Sequence, residues 1–404
     1  MKVLMLGWEG PPPHHNGGLG VVCYQLCKAL AKKGADIDFI LPYTAKYDVG
    51  FMRYKSIHPQ DIRTLLRAGI VYDSAKYIKK NGQTGWMNLF EQVAMYEHAI
   101  EGIIDEVEFD IIHAHDWLTC RAALRAQELS GKPLYVHLHS IESDRAGGKH
   151  FAGNPLVREI EDLAVHMADK VIAVSELTKQ GIIREYGMPG DKIEVVHNSM
   201  DVGELAPLDN QNVYPYIMKM KAHGYRVVVY VGRETIQKGL SNLIRAAKEV
   251  VARAPKTLFL IVGSGEQDNE ILELAAAEGI SQNVIFTGFQ RGKQWRDAFG
   301  TGDLFVLPSV SEPFGITPIE AIGYGLPPLI SKQSGIAEVL QNALKVDFWD
   351  IDEMANQIHA VVTNDALRDT LQAAAYKEFE KMHWGDAADK LMTMYQQPQE
   401  AMAA

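Results

Sequence analysis

Cysteine is scarce, at three in 404 residues. Two of them, Cys23 and Cys27, sit four apart in a helical pattern. That count excludes a disulfide framework, and the pair reads as small buried hydrophobes in a reducing, cytoplasmic compartment. Basic charge is also short: 40 Lys and Arg stand against 51 Asp and Glu, for a net charge of −11. A general nucleic-acid binder needs the opposite balance, because it must replace phosphate counterions. Small phosphorylated ligands need only a few local donors and are not excluded. No run approaches the ~20 apolar residues of a membrane-spanning helix. The opening MKVLMLGWEGPPP has too short an apolar run for a span, and flanks unlike a secretory signal, so it reads as a first strand. Short-period repeats and low-complexity tracts are absent. What is present is a globular composition, 47% hydrophobic and 23% charged, on a chain long enough for two domains.

Short apolar runs alternate with longer amphipathic ones, the pattern of parallel sheets crossed by helices. In the first half the strand candidates are 3–8, 37–42, 109–113, 134–139, 171–174 and 193–196, with a helix over 18–33. Ser175 stands where it caps the helix after its strand. A second series covers 227–232, 258–263, 284–288, 304–308 and 328–331. Between them, 201–216 is polar and holds Pro207 and Pro215, so it reads as a linker. After Ile351 the pattern is wholly helical. Two doubly wound sheets joined in this way bind ligands beyond the C-terminal ends of their strands.

The segment SEPFGITPIEAIGYGLPP, 311–328, carries the most chemistry. Thr317 suits an N-cap, Pro318 the first helical position, and Glu320 completes a T-x-x-E capping box. Glu320 therefore has a purely structural reading beside any functional one. Glu312 precedes Pro313 in the loop before the helix and has no evident structural partner there. Gly315, Ile316 and Thr317 set backbone N–H groups at a helix start, where an anion binds readily. In G-R-E-T-I-Q-K-G, 232–239, Arg233 and Lys238 flank a tight strand-to-helix loop, so both cations reach one point beyond the sheet edge.

Glu312 and Glu320 form an E-x7-E pattern, followed by a small-residue helix and a G-L-P break. Together with the G-R-x5-K-G loop it resembles the donor site of retaining GT-B glycosyltransferases of the family-four type. The resemblance implies an α/β GT-B fold: two Rossmann-like doubly wound domains, over 1–205 and 206–384, facing each other across a cleft. A C-terminal helix, 385–404, crosses back to the first domain. It further implies that Glu312 meets hydroxyls of the donor sugar, Glu320 meets the ribose, and Arg233 and Lys238 neutralise the leaving diphosphate. Gly232, Gly263, Gly288 and Phe289 fall in loops around the nucleotide.

In the first half, H-N-G-G-L-G at 15–20 follows the first strand and opens a helix. No acidic residue ends the next strand, so it is not the dinucleotide fingerprint. The backbone N–H groups of Gly17 and Gly18 are unobstructed and can approach a phosphate. W-E-G-P-P-P, G-G-L-G and H-A-H-D-W-L resemble glycogen and starch synthases, although those usually carry Lys where this chain has His15. That likeness sets Asp116 near the acceptor and His139 against the sugar. His113 and His115 share one strand face, as do His137 and His139. A four-histidine metal site is one reading, and core packing is the favoured one, since no carboxylate completes a familiar ligand spacing. No metal is expected.

The implied substrate is a nucleoside-diphosphate sugar, UDP- or ADP-glucose, with a glucan or other carbohydrate as acceptor and no separate cofactor. Transfer to a lipid-linked or small acceptor is the alternative, because the basic stretch 53–80 could contact an anionic membrane surface. A non-catalytic sugar-nucleotide binding module is a further one. The stretch 44–86 matches no part of the family pattern.

Overall fold

The computed structural model describes residues 1–10, 18–43, 47–56, 62–65, 75–79, 84–209 and 211–396. The chain forms two units. One comprises 1–142, 153–198 and 384–404, and the other 143–152 and 199–383. The division falls at 198/199, earlier than the 205/206 that the resemblance implies. The second unit also takes ten residues, 143–152, from within the first half.

The first unit is built on a wholly parallel sheet: β1 (Lys2–Leu6), β2 (Asp36–Leu41), β3 (Arg53–Ser56), β7 (Ile111–His115), β8 (Leu134–Leu138), β9 (Lys170–Ala173) and β10 (Ile193–Val195). Between β3 and β7 in the chain lie β4 (Ile62–Leu65), β5 (Ala75–Lys79) and β6 (Thr84–Met87), which form a small antiparallel sheet. This accounts for part of the stretch that sequence patterning leaves unassigned. The large sheet runs β10-β9-β8-β7-β1-β2-β3. The chain reverses its direction of travel at β1/β7, and ligands favour such a switch point.

β1, β7 and β8 are buried on both faces; β1 reads as a near-continuous apolar run, while buried histidines interrupt β7 and β8. Gly18–Lys32 buries Cys23, Leu26, Cys27 and Leu30, one stripe at helical spacing. The last helix, Trp384–Gln396, packs on this unit, and the Tyr135 hydroxyl donates to the Met394 carbonyl at 3.1 Å. All three cysteines are buried and unbridged.

The second unit holds β11 (Arg226–Val231), β12 (Thr257–Val262), β13 (Val284–Phe286), β14 (Leu304–Leu307), β15 (Pro328–Ser331) and β16 (Leu344–Val346), in the order β13-β12-β11-β14-β15-β16 and all parallel. Its switch point is β11/β14, so the loops leaving those two strands emerge side by side. Leu240–Arg253 covers the sheet with Leu240, Leu243, Ile244, Ala247 and Val250, at i, i+3, i+4, i+7 and i+10. Ser175 caps its helix as its position suggests, accepting from the Thr178 N–H at 3.0 Å. Among the described residues, no helix is long and apolar enough to cross a membrane. Of the basic stretch 53–80, Arg53 is already paired with Asp36 and Asp38, each at 2.6 Å. The side chains of Arg63, Arg67, Lys76, Lys79 and Lys80 lie outside the described residues.

Candidate active site

The switch point of the second unit gathers most of the residues singled out on that half. After β11 the chain passes Gly232, Arg233 and Glu234 and makes one turn, Ile236–Lys238, before the helix at Leu240. Two glycines let this loop exist. Gly239 has φ 64°, and a Cβ there would stand 2.2 Å from the Pro308 carbonyl oxygen. At Gly263 a Cβ would lie 1.8 Å from the Gly232 carbonyl oxygen. The loops after β11, β12 and β14 are therefore locked backbone to backbone. The Gln237 carbonyl accepts the Val310 N–H at 2.9 Å, tying the turn to the segment that carries Glu312.

Lys238 and Glu312 meet directly, Nζ to Oε2 at 2.5 Å, with both side chains largely buried. The Ser309 hydroxyl donates to the same oxygen at 3.1 Å. The expectation that Glu312 lacks a structural partner is thus corrected. Its backbone is also bridged to Ser334, since its N–H donates to the Gln333 carbonyl and its carbonyl accepts from Gly335, both at 2.9 Å. Gly315, with φ 98°, turns the chain tightly enough that a Cβ would press on Glu312 Cγ at 3.2 Å. Arg233 sits on the exposed side of the loop, and its carbonyl is held by the buried Tyr230 hydroxyl at 2.7 Å.

The helix Thr317–Gly323 departs from expectation. Its N-cap is Ile316 in a helical conformation with no side-chain cap, so Thr317 is the first helical residue and the T-x-x-E box is not formed. Glu320 is instead a carboxyl without a capping partner, and burial pushes it up to about 8. The folded chain consequently holds a proton that the unfolded chain releases above the usual carboxylate value of 4.5. The associated stability is full below about 4.5 and lost as pH rises through about 8. Glu320→Gln, which cannot ionise, should therefore gain melting temperature over the native chain on going from pH 5 to pH 8.5. Thermal melts at the two values read this directly, and an equal difference at both would overturn the burial assignment.

Sequence reading passed over Glu234, which is buried in the G-R-E-T turn. Burial, followed by the neighbouring Asp268 charge, raises its carboxyl to about 7. Its placement between two cationic motif positions is the only trace it leaves in the sequence. Phe289, after Gly288, is half exposed, with the Arg291 guanidinium 5.0 Å from its ring centre.

On the first unit the segments leaving β1 and β7 hold Glu9, Gly18 and Asp116, and the loop after the neighbouring β8 holds His139. Gly17 lies outside the described residues, and Gly18 is exposed, with nothing among the described residues within 4 Å of where a Cβ would stand. The buried Glu9 carboxylate accepts the Gly20 N–H at 2.9 Å, so one N–H of this helix start is already engaged by the chain itself. Asp116 is buried in a left-handed backbone conformation, φ 59°. Its Oδ1 accepts the His139 N–H at 2.6 Å and the Ser140 N–H at 3.3 Å. Asp116 thus fixes the loop after β8 through this Oδ1.

The four histidines, from two strand ends, form one stack, with ring centres 4.6 Å apart for His113–His115 and 4.3 Å for His137–His139. His115 Nδ1 is 2.9 Å from His139 Nε2, His113 Nε2 is 3.3 Å from His137 Nδ1, and His113 Nδ1 meets the Tyr395 hydroxyl. Burial pushes all four below the usual imidazole range. The Nδ1 of His139 is itself buried. With Nε2 against His115, both ring nitrogens of His139 lie inside the fold at the end of β8.

Two family models match the chain: "Glycosyltransferase Family 4" over residues 16–204 and "Glycosyl transferases group 1" over 219–378. An uncharacterized glycosyltransferase of Methanocaldococcus jannaschii is 28% identical, covering 100% of both chains. The glycogen synthase of Mycobacterium tuberculosis is 26% identical over 93% of this chain and 89% of its own length. Among solved structures, Anabaena HepE in complex with UDP and glucose superposes with a TM-score of 0.69 at 19% identity, covering 98% of this chain and 100% of that one.

Proposed function

The chain belongs to the GT-B glycosyltransferases of the family-four type, and from that premise we propose that it is a retaining glucan synthase. It would move a glucosyl group from UDP- or ADP-glucose to a hydroxyl of a growing glucan. The observation that carries this reading is the Lys238–Glu312 pair, seated with Arg233 where the loops after β11 and β14 emerge together. A nucleoside diphosphate leaving a sugar builds negative charge, and cations already fixed in place stabilise it without reorganisation. Arg233 and Lys238 supply that charge. Glu312 accepts from sugar hydroxyls, Glu320 from the ribose, and the N–H groups of Gly315, Ile316 and Thr317 face the diphosphate. Gly232, Gly263, Gly288 and Phe289 border the nucleotide.

In this reaction the acceptor oxygen bonds to the anomeric carbon on the face from which the phosphate departs. The carbon–oxygen bond to phosphate breaks, and the acceptor proton passes to the leaving phosphate. The protein contributes orientation and charge rather than a covalent nucleophile. The glucan assignment is supported by the likeness to a glycogen synthase, and the donor by HepE, whose structure holds UDP and glucose.

A product screen tests the reading: UDP-, ADP- and GDP-sugars against glucan, simple sugars and lipid acceptors, with anomeric configuration read by NMR. Glucan elongation with an α-linked product is the expected result. Transfer only to a small or lipid acceptor would replace the glucan assignment, and a β-linked product from an α-linked donor would remove retention. Because the cations are built in, turnover with no added magnesium or manganese should lie within about 2-fold of turnover with millimolar amounts. A strict requirement for either ion would contradict the charge assignment.

A further inference from the structure

The helix Pro155–Met167 of the first unit carries an apolar stripe that the folded chain leaves in solvent. Asn154 caps it, accepting the Leu156 N–H at 3.0 Å, and Pro155 takes the first helical position. One face, with Val157, Ala164 and Val165, is buried in the core of the unit. Beside that face run Leu156, Ile160, Leu163 and Met167, at i, i+4, i+7 and i+11. Leu156, Leu163 and Met167 are 54%, 53% and 55% exposed, and Ile160 is partly buried. Apolar residues exposed singly need no explanation, whereas four in line along one helix do. Their 4-3-4 spacing is that of a coiled-coil seam, with Leu156 and Leu163 at d and Ile160 and Met167 at a. So narrow a stripe matches the knobs of another helix.

We propose that this stripe is a self-association surface, on which the same helix of a second copy packs antiparallel about a two-fold axis. The flanks of the stripe select both the occupant and the direction. Val157 and Ala164, on one flank, are buried inward, so only the flank of Glu159 and His166 is open. Antiparallel copies lay that open flank against itself, with Ile160 of each level with Leu163 of the other. Glu159 of each copy then lies beside His166 of the other, a carboxylate against an imidazole, and the two-fold makes the contact twice. A parallel pair would turn Glu159 toward the buried flank and lose both contacts. The His166 ring is set for this: its Nδ1 faces Asp162, 2.9 Å from the carbonyl oxygen and 3.2 Å from Oδ1, which leaves Nε2 for the second copy. The carboxylates of Glu159 and Asp162 beside the stripe repel an anionic membrane surface. A contact about 20 Å long is well below the ~800 Å² per partner of stable complexes, so the dimer forms and parts with concentration in the micromolar range.

The test reads mass and not activity, so it stands apart from the glycosyltransferase reading. Full-length chain is followed by sedimentation velocity from about 2 to about 200 µM, at pH 6, where imidazole in water is mostly charged. The native chain should pass from monomer to dimer across that range. Leu163→Lys should stay monomeric throughout, with native circular dichroism and melting, because the position is exposed. Glu159→Lys and His166→Glu should each weaken the dimer by about 5-fold or more, since each sets like charges together. An equal mixture of these two variants should recover native association, because every contact between them joins opposite charges. A native chain that is monomeric at the highest concentration overturns the proposal. So does a dimer in Leu163→Lys, or a mixture that associates no better than its components. A native monomer that instead sediments with phosphatidylcholine–phosphatidylserine vesicles, and loses this in Leu163→Lys, gives the stripe to a lipid surface and overturns it too.

Discussion

Lys238→Ala should lower turnover by on the order of 100-fold or more, the usual cost of deleting one donor to transition-state charge. Its second effect follows from the pairing that the structure reveals. Glu312 is largely buried, and Lys238 is its cationic partner at 2.5 Å. Removing one member of such a pair leaves the other as an uncompensated charge, which costs more than the pair ever contributed. The variant should therefore melt several degrees below the native chain. Arg233→Ala should lose a comparable share of turnover with little change in melting, because Arg233 lies on the exposed side of the loop. Steady-state kinetics beside thermal melts separate the two cations. Full activity in either variant would remove that residue from the leaving-group site, and unchanged melting in Lys238→Ala would remove the pair.

That asymmetry between two motif cations marks where sequence reading stops. The alternation of apolar runs was enough to locate most strands of the two large sheets, because strands buried on both faces are largely apolar. β3 was missed, since Arg53–Ser56 is an edge strand only partly buried, and it carries the arginine that pairs with Asp36 and Asp38. β16 was missed because Lys345 breaks its short apolar run and only Val346 is fully buried. The motif 311–328 was legible as chemistry, but its local geometry was not. A T-x-x-E spacing fits a capping box, yet the chain enters the helix already in a helical conformation at Ile316, which leaves Thr317 no capping position. Contacts made by distant residues left no pattern at all: Asp116 reaching the His139 N–H, Gln237 holding Val310, and Tyr395 on the final helix meeting His113. Each joins segments whose closeness is set by strand order, and strand order is not written in local sequence.

The absent capping box sharpens the contrast between Glu320 and Glu312. With no reciprocal cap to preserve, any loss of ligand affinity in Glu320→Gln reports on the ligand. If Glu320 accepts the ribose hydroxyls, Gln loses the charge-assisted part of that bond, and affinity for the free nucleoside diphosphate should fall by ~1–2 kcal/mol, roughly 5- to 30-fold. There is a proton signature as well. The carboxyl sits at about 8 in the free protein, and hydroxyl donors favour its charged form. Nucleotide binding near pH 7 should then release a proton from it, so the binding heat should depend on buffer ionisation enthalpy more in the native chain than in Glu320→Gln. Glu312→Gln should behave otherwise. Its partners are Lys238, Ser309 and, in the proposed reaction, the sugar, so free nucleotide should bind with unchanged affinity while turnover collapses by on the order of 100-fold or more. Isothermal titration in two buffers, beside a turnover assay, sees all of these effects. Equal loss of nucleotide affinity in both variants would mean that the sugar and ribose roles are not divided between these two carboxylates.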